Sequence, residues 1–263
     1  MTRLVPTVSV KPGLRTATKP LALAVVLVVA CHTPVVPKPA APKATPAATT
    51  VRFDEQVRED FFAGLRGDAV ALERAMKLCE DVLANQPKHP EAMVWHGAGL
   101  VGRASLAFRA GDSARGIELY GKGIAEMDAA VALAPDRIGV RIPRGAVVLA
   151  MAPFAPAPEK TKLYEKGVAD YEVTLAKQET QFKTLTLHAR EQLLYGLTDA
   201  YASLGDRAKA ETYYRRMTVD AAGSELLPRA EQRAKGQAVA GPTPCEECHG
   251  EARGRLAADG FSH

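Results

Sequence analysis

Apolar residues recur every three or four positions through most of residues 54–235, a spacing typical of amphipathic helices. In the clearest stretch, 162–178, one helical face carries Leu163, Tyr164, Val168, Tyr171 and Leu175. Runs of β-branched residues are rare after the N-terminal region, so competing strand signals are weak. The pattern predicts an all-α protein.

A Gly-Asp pair interrupts the helical pattern three times, beginning at residues 67, 111 and 205. Glycine readily ends a helix in the left-handed conformation, and aspartate can cap the helix that follows. The second interval is about twice the first, which leaves room for one more helix pair, near 138–152 and 159–178. In the first of these helices, Pro143 predicts a kink or a late start.

Further helices are expected at both ends of this array. A lead-in helix is predicted over 54–65, and the stretch 193–217 predicts two short helices around the last Gly-Asp turn. A polar helix over 225–235 is suited to cap the array. Because a short helix pair cannot bury its apolar faces alone, we expect the pairs to stack and share one continuous hydrophobic core.

Four residues of the last pair, Tyr201, Gly205, Ala210 and Tyr214, resemble the aromatic, turn, small and aromatic positions of the tetratricopeptide (TPR) repeat. The resemblance implies a TPR-like solenoid of helical hairpins. In this family a concave groove lined by the first helices binds peptides or partner proteins. The groove positions implied here are Val101, Ser105, Phe108, Gln192, Tyr195 and Asp199.

Charge and motifs restrict the other classes of function. The formal net charge is +4, but residues 1–30 carry four basic residues and no acidic one, so the remaining chain is neutral. That balance gives no electrostatic argument for nucleic acid. The sequence offers no nucleophile elbow, phosphate-binding glycine loop or zinc-helix histidine pair, so we expect no enzymatic activity. Arg141 and Arg144 could line the groove, but a charged pair on a helix is more often on a solvated face, which is the expectation here. Trp95 is expected in the core and His96 at or just beneath the surface.

The first 30 residues are typical of an export signal. Basic residues precede the apolar run LALAVVLVVA, which is much shorter than the roughly 20 residues needed to cross a bilayer. The run ends Val-Val-Ala-Cys, which resembles the bacterial lipobox and implies that Cys31 carries the lipid anchor. His32 in place of the aspartate that retains such lipoproteins at the inner membrane favours the outer membrane. The alternative is an ordinary secretory signal that happens to contain a cysteine.

The chain divides into four regions. The signal peptide (1–30) is followed by a tether rich in proline and alanine (31–52), whose composition cannot form a core and predicts disorder. The TPR-like domain covers 53–236, and an irregular tail covers 237–263. Of the four cysteines, Cys79 lies on the apolar stripe of a predicted helix and is expected to behave as a small hydrophobic residue.

The tail contains the sequence CEECH at 245–249, which resembles the attachment site of c-type haem. The resemblance implies that Cys245 and Cys248 bind the two vinyl groups and that His249 ligates the iron. A second axial ligand could come from His263, Met217 or water. The alternatives are a Cys245–Cys248 disulfide, an idle motif, or half of a metal site.

Together these features predict a lipid-anchored TPR scaffold that binds another envelope protein or peptide on the periplasmic side of the cell envelope. The competing prediction is an electron-transfer protein whose repeats position haem c in the tail.

Overall fold

The computed structural model describes residues 52–65 and 67–239, and every regular element in this part of the chain is helical. The α-helices of these residues are α1 (Phe53–Leu65), α2 (Ala69–Asn85), α3 (Pro90–Arg109), α4 (Ser113–Leu133), α5 (Ile138–Met151), α6 (Ala157–Gln178), α7 (Leu187–Ser203), α8 (Arg207–Asp220) and α9 (Leu227–Ala234). Short 3-10 helices cover Ala152–Phe154 and Glu179–Thr184. The all-α prediction is confirmed for these residues, none of whose helices has the length and apolar character needed to span a membrane.

The three Gly-Asp turns have the predicted geometry. The backbone φ angle is positive at each glycine: 104° at Gly67, 81° at Gly111 and 83° at Gly205. The aspartate that follows each glycine accepts a hydrogen bond from the backbone N–H three residues further along. These aspartates therefore satisfy one of the free donors at the start of α2, α4 and α8.

One helix start differs from the sequence-based prediction, and another decides between two alternatives. Helix α7 begins at Leu187 rather than near Leu193, because the Thr186 hydroxyl caps it by accepting from the Ala189 N–H. Helix α5 begins at Ile138, as predicted for the helix near 138–152, so the late start considered at Pro143 does not occur and the proline lies inside the helix. The proline nitrogen cannot donate to the carbonyl four residues earlier, and α5 therefore contains one backbone position without a helical hydrogen bond.

Neighbouring helices form consecutive pairs. Helix α1 packs on α2, α3 on α4, α5 on α6 and α7 on α8. Each odd-numbered helix also contacts the next odd-numbered helix, from α1 through to α9. Within the α3–α4 pair the backbones touch: a Cβ atom added to Gly97 would lie 2.7 Å from the carbonyl oxygen of Gly123.

The hydrophobic core consists of two clusters rather than the one continuous core predicted from the sequence. The N-terminal cluster runs from Phe53 to Val140, and the C-terminal cluster from Val148 to Ala230. The boundary lies within α5, and the half-buried side chains of Ile124 and Met151 contact both clusters. The single-core prediction was wrong because charged side chains occupy α5 between Val140 and Val148.

Candidate functional site

The six predicted groove residues differ in their access to solvent. Val101 and Tyr195 are each only 4% exposed, whereas Phe108 is 41% exposed. Ser105, Gln192 and Asp199 are half-buried. Val101 is directed toward Gly123 of α4, its partner within the pair. Solvent therefore reaches four of the six side chains at least in part.

Helix α9 covers Tyr195 and Asp199, two of the three groove positions predicted in the last helix pair. Arg233 of α9 donates to the Asp199 carboxylate and, through Nη2, to the Ser203 hydroxyl at 2.6 Å. Arg229, also of α9, lies beside the Tyr195 hydroxyl. Burial raises the pKa of the Tyr195 phenol, and the nearby Asp199 carboxylate adds to this effect. The face of α7 next to α9 is thus an internal contact of the fold.

A buried ion pair joins α5 to α6. Asp170 is fully buried and Arg144 is 9% exposed. Arg144 donates to both carboxylate oxygens, from Nε to Oδ2 and from Nη2 to Oδ1, each at 2.7 Å. Arg141 Nη1 donates to the same Oδ1 at 2.7 Å. The expectation that Arg141 and Arg144 lie on a solvated face was therefore wrong, because both face the buried carboxylate of Asp170 on the next helix.

This ion pair extends to α4. Arg144 Nη1 donates to Asp128 Oδ1 at 2.9 Å, and Lys166 Nζ donates to Asp128 Oδ2 at 2.5 Å. We call the set Arg141, Arg144, Lys166, Asp128 and Asp170 the α5 ion network. Burial lowers the pKa of Arg144, but its hydrogen bonds and charge contacts with Asp170 and Asp128 outweigh burial and leave the pKa above its ordinary value. Arg144 therefore stays charged.

The neighbouring helix pairs have polar contacts in corresponding places. Between α2 and α3, Arg103 Nε donates to Glu73 at 2.8 Å, and His96 of α3 lies 2.7 Å from Glu126 of α4. Between α6 and the α7–α8 pair, Glu172 accepts from the hydroxyls of Tyr201 and Tyr213. Each polar cluster joins an even-numbered helix to the next pair, so the α5 ion network is the most buried case of a repeated arrangement.

The accessible face of α5 is apolar. Apart from its two arginines, α5 contains only apolar residues, and both arginines are engaged in the ion network. Ile142 is 40% exposed, and Ala146 and Ala150 follow at intervals of four residues and are half-buried. Phe154, just beyond the helix, is 71% exposed. A partner that reached this face would meet methyl and methylene groups.

The described residues contain no cluster of three or more His, Cys, Asp or Glu side chains that could hold a metal ion. Cys79 is 1% exposed, as expected from its place on the apolar stripe, and burial raises the pKa of its thiol to about 12. At neutral pH it is therefore a protonated thiol with little nucleophilic character.

The other predicted sites, Cys31, Cys245, Cys248 and His249, lie outside the described residues. Met217, one of the three second ligands considered for a haem, is fully buried in the C-terminal cluster. Its sulfur cannot reach an iron atom in the tail unless the core opens. His263, the other side chain considered, also lies outside the described residues.

Asp128 and Asp170 are the residues of this region that sequence reasoning missed. The available signal was Asp170 itself, a carboxylate placed between Val168 and Tyr171 on the apolar stripe of α6. A buried charge requires a partner, and the two arginines are the nearest cations in the preceding helix.

Comparisons of the chain with models of known protein families, with curated proteins and with solved structures gave no match.

Proposed function

We propose that the chain is a lipid-anchored scaffold of TPR-like helical repeats, which binds another protein or a peptide in the bacterial cell envelope. The observation that carries the proposal is the contact of each odd-numbered helix with the next, from α1 to α9. Stacking of this kind places the first helices of successive pairs side by side, as in helical repeat proteins that bind partners along an extended surface.

The packing around the last Gly-Asp turn supports the TPR resemblance. Ala210 is fully buried and Tyr201 is 5% exposed. A small residue and an aromatic ring at these positions allow α7 and α8 to approach closely, as the repeat requires.

The contact surface that we propose is the accessible face of α5, continued to Phe154. This apolar face lies between the polar clusters that join neighbouring helix pairs. It favours contact with apolar side chains of a partner, since burying that area removes it from water. Phe108, at the end of α3, is 41% exposed, but its ring lies against Gly116 of α4, so the proposed surface does not include it.

Photo-crosslinking in cells tests the scaffold proposal. A photoreactive phenylalanine analogue is placed at Ile142 or Phe154, and at Ile117 of α4 and Val219 of α8 as controls. The controls are 66% and 72% exposed but lie on even-numbered helices. We expect a discrete adduct from Ile142 and Phe154 and none from the controls. Equal labelling at all four positions, or none at Ile142, would contradict the proposed surface.

The lipid anchor has a separate test. The sequence Val-Val-Ala-Cys at 28–31 supports lipidation of Cys31, and stable anchoring requires more than one acyl chain. Labelled palmitate should enter the wild-type protein and not the Cys31→Ala variant. Fractionation of the same cells should place the wild type in the outer membrane. Equal incorporation of label into both proteins would show that Cys31 is not the acceptor.

A second candidate function is electron transfer through haem c, for which the CEECH sequence of the tail is the specific observation. Two thiols and an adjacent imidazole are a donor set that fits covalent haem, which would supply one-electron redox chemistry. The full chain, expressed with the haem-maturation machinery, should then show a Soret band that the Cys245→Ser/Cys248→Ser double variant lacks. A colourless wild-type protein under these conditions would remove this candidate.

A further inference from the structure

The two core clusters meet where the α5 ion network lies. Val140 belongs to the N-terminal cluster and Val148 to the C-terminal cluster, and both are fully buried. Arg141 and Arg144 come between them on α5. The structure therefore changes from one apolar cluster to the other across two turns of helix whose buried side chains include a charged guanidinium.

The same two turns are the weakest part of α5 as a helix. Pro143 removes one backbone hydrogen bond at this position. Ile124 and Met151 pack against both clusters, and both are only half-buried. Part of the apolar contact across the boundary is therefore made by side chains that the core does not enclose.

The ion network adds a buried polar connection across this boundary. Through Arg144 it joins Asp128 of α4, in the N-terminal part, to Asp170 of α6, in the C-terminal part, by hydrogen bonds of 2.7–2.9 Å. Because the carboxylate of Asp170 is fully buried, its partners cannot be replaced by water without opening the boundary.

We propose that the α5 ion network is a latch between two parts of the described chain, residues 53–140 and 148–234, each of which has a hydrophobic cluster of its own. With the latch closed, the halves unfold and reorient as one body. With the latch open, they move independently about the middle of α5. In the proposed scaffold such motion would change the alignment of the odd-numbered helices on the two sides of α5. The latch itself does not depend on the scaffold function, since it concerns the coupling of the halves alone.

The chain contains a built-in optical reporter for one half. Trp95 is its single tryptophan and packs in the N-terminal cluster, edge-on to Phe61 with ring centroids 4.9 Å apart. Its fluorescence follows the N-terminal half, whereas far-UV circular dichroism follows all helices. The helices α5–α9 contribute about half of the helical residues. Urea titrations of the full chain with both probes therefore separate the two halves.

In the wild type we expect the two probes to give coincident transitions. In Asp170→Asn the neutral amide cannot accept the paired hydrogen bonds of the charged arginine, so the polar connection from α4 through Arg144 to α6 is lost. About half of the ellipticity should then be lost in an earlier step, displaced by roughly 1 M urea or more, and the Trp95 transition should follow later. A single transition that both probes share in this variant would overturn the latch.

A matched control damages the C-terminal half but leaves the latch intact. Leu194 is fully buried in the C-terminal cluster, so Leu194→Ala should cost a comparable amount of stability. We expect its two transitions to move to lower urea together. If they separate as in Asp170→Asn, then any damage to this half uncouples it and the network is not a latch.

A milder variant covers the case in which Asp170→Asn does not fold. Asp128 has a side chain that is 40% exposed, and Asp128→Asn weakens only the connection of Arg144 and Lys166 to α4. The same order of events should appear with a smaller displacement. Coincident transitions in this variant would contradict the proposal.

Discussion

At the scale of single residues, the fold depends on close contacts that leave no room for a different atom or charge. Asp170 accepts three hydrogen bonds from Arg141 and Arg144, and removing either partner would leave a buried charge incompletely paired. Gly97 and Gly123 cannot take a larger side chain without a clash, because the backbones of α3 and α4 touch there. For both kinds of contact, a substitution at the contact should affect stability very differently from a substitution at a neighbouring position.

Gly121 and Gly123 of α4 give such a contrast. A Cβ atom at Gly123 would lie 2.5 Å from the Gly97 carbonyl oxygen, whereas one at Gly121 has nothing within 4 Å. Gly123→Ala should lower the free energy of unfolding by about 1–3 kcal/mol through overpacking. Gly121→Ala should raise it by about 0.5–1 kcal/mol, since alanine favours the helix. Urea denaturation followed by circular dichroism measures both, and equal effects would contradict the close contact.

Cys79 leads to a prediction about reactivity. Burial raises the pKa of its thiol to about 12 from an ordinary value of 9.0, and the Glu126 and Glu80 carboxylates add to the shift. Because the pKa is higher in the folded protein than in the unfolded chain, the buried neutral thiol contributes fully to the stability of the fold below pH 9. That contribution is lost as the pH rises toward 12.

Iodoacetamide at pH 8 should therefore modify Cys79 only in urea concentrations that unfold the chain, as measured by mass spectrometry of its peptide. Cys245 and Cys248, where they are reduced and free, serve as internal references for labelling. Rapid modification of Cys79 in the native protein would show that its surroundings are open to solvent.

At the scale of helices and turns, short sequence signals determine most boundaries. The Gly-Asp pairs end one helix and cap the next through contacts within three residues. Helix α9 is the shortest α-helix of the described chain, and contacts with α7 and α8 hold it in place. An eight-residue helix has little stability of its own, so tertiary packing accounts for its presence.

The cap at α4 has a simple test. Asp112→Ala removes the acceptor for the Arg115 N–H and should lower the free energy of unfolding by about 0.5–2 kcal/mol. Asp112→Asn keeps a capping oxygen and should recover most of that loss. Both variants lose the negative charge, but only Asp112→Ala loses the capping oxygen. A difference between their thermal unfolding temperatures therefore measures the cap, and equal temperatures would point to the charge.

Local signals explain which elements could be predicted from the sequence and which could not. The apolar stripe of α6 and the buried Cys79 follow from helical spacing, and the structure confirms both. The start of α7 was missed because polar residues hide the apolar period between Leu187 and Leu193. The pairing of Arg144 with Asp170 was missed because the partners lie 26 residues apart on two helices, and single-helix periodicity carries no information about such contacts.

At the scale of the whole described chain, stability comes from the stacking of helix pairs and from α9, which covers one face of the last pair. Helix α9 covers the face of α7 that carries Tyr195 and Asp199, and buries Ala230 and Ala234 of its own. The C-terminal cluster therefore depends on a short element at the end of the domain.

Truncation tests that dependence. A chain that ends at Leu226 loses α9, exposes Tyr195 to water and removes the arginine partner of Asp199. We expect the free energy of unfolding to fall by about 2–5 kcal/mol, with binding of a dye that reports exposed apolar surface. A chain that ends at Val239 keeps α9 and should unfold at the wild-type temperature. Equal melting temperatures for the two truncations would show that α9 contributes little.

The position of α9 also bears on assembly. Helical repeats that leave a bare terminal face can add copies end to end, and a repeated head-to-tail contact of that kind grows into a filament. Here α9 already fills the site beside α7, where its Arg233 is hydrogen-bonded to Asp199 and Ser203. A second copy of the chain could add to α7 at this site only by displacing α9.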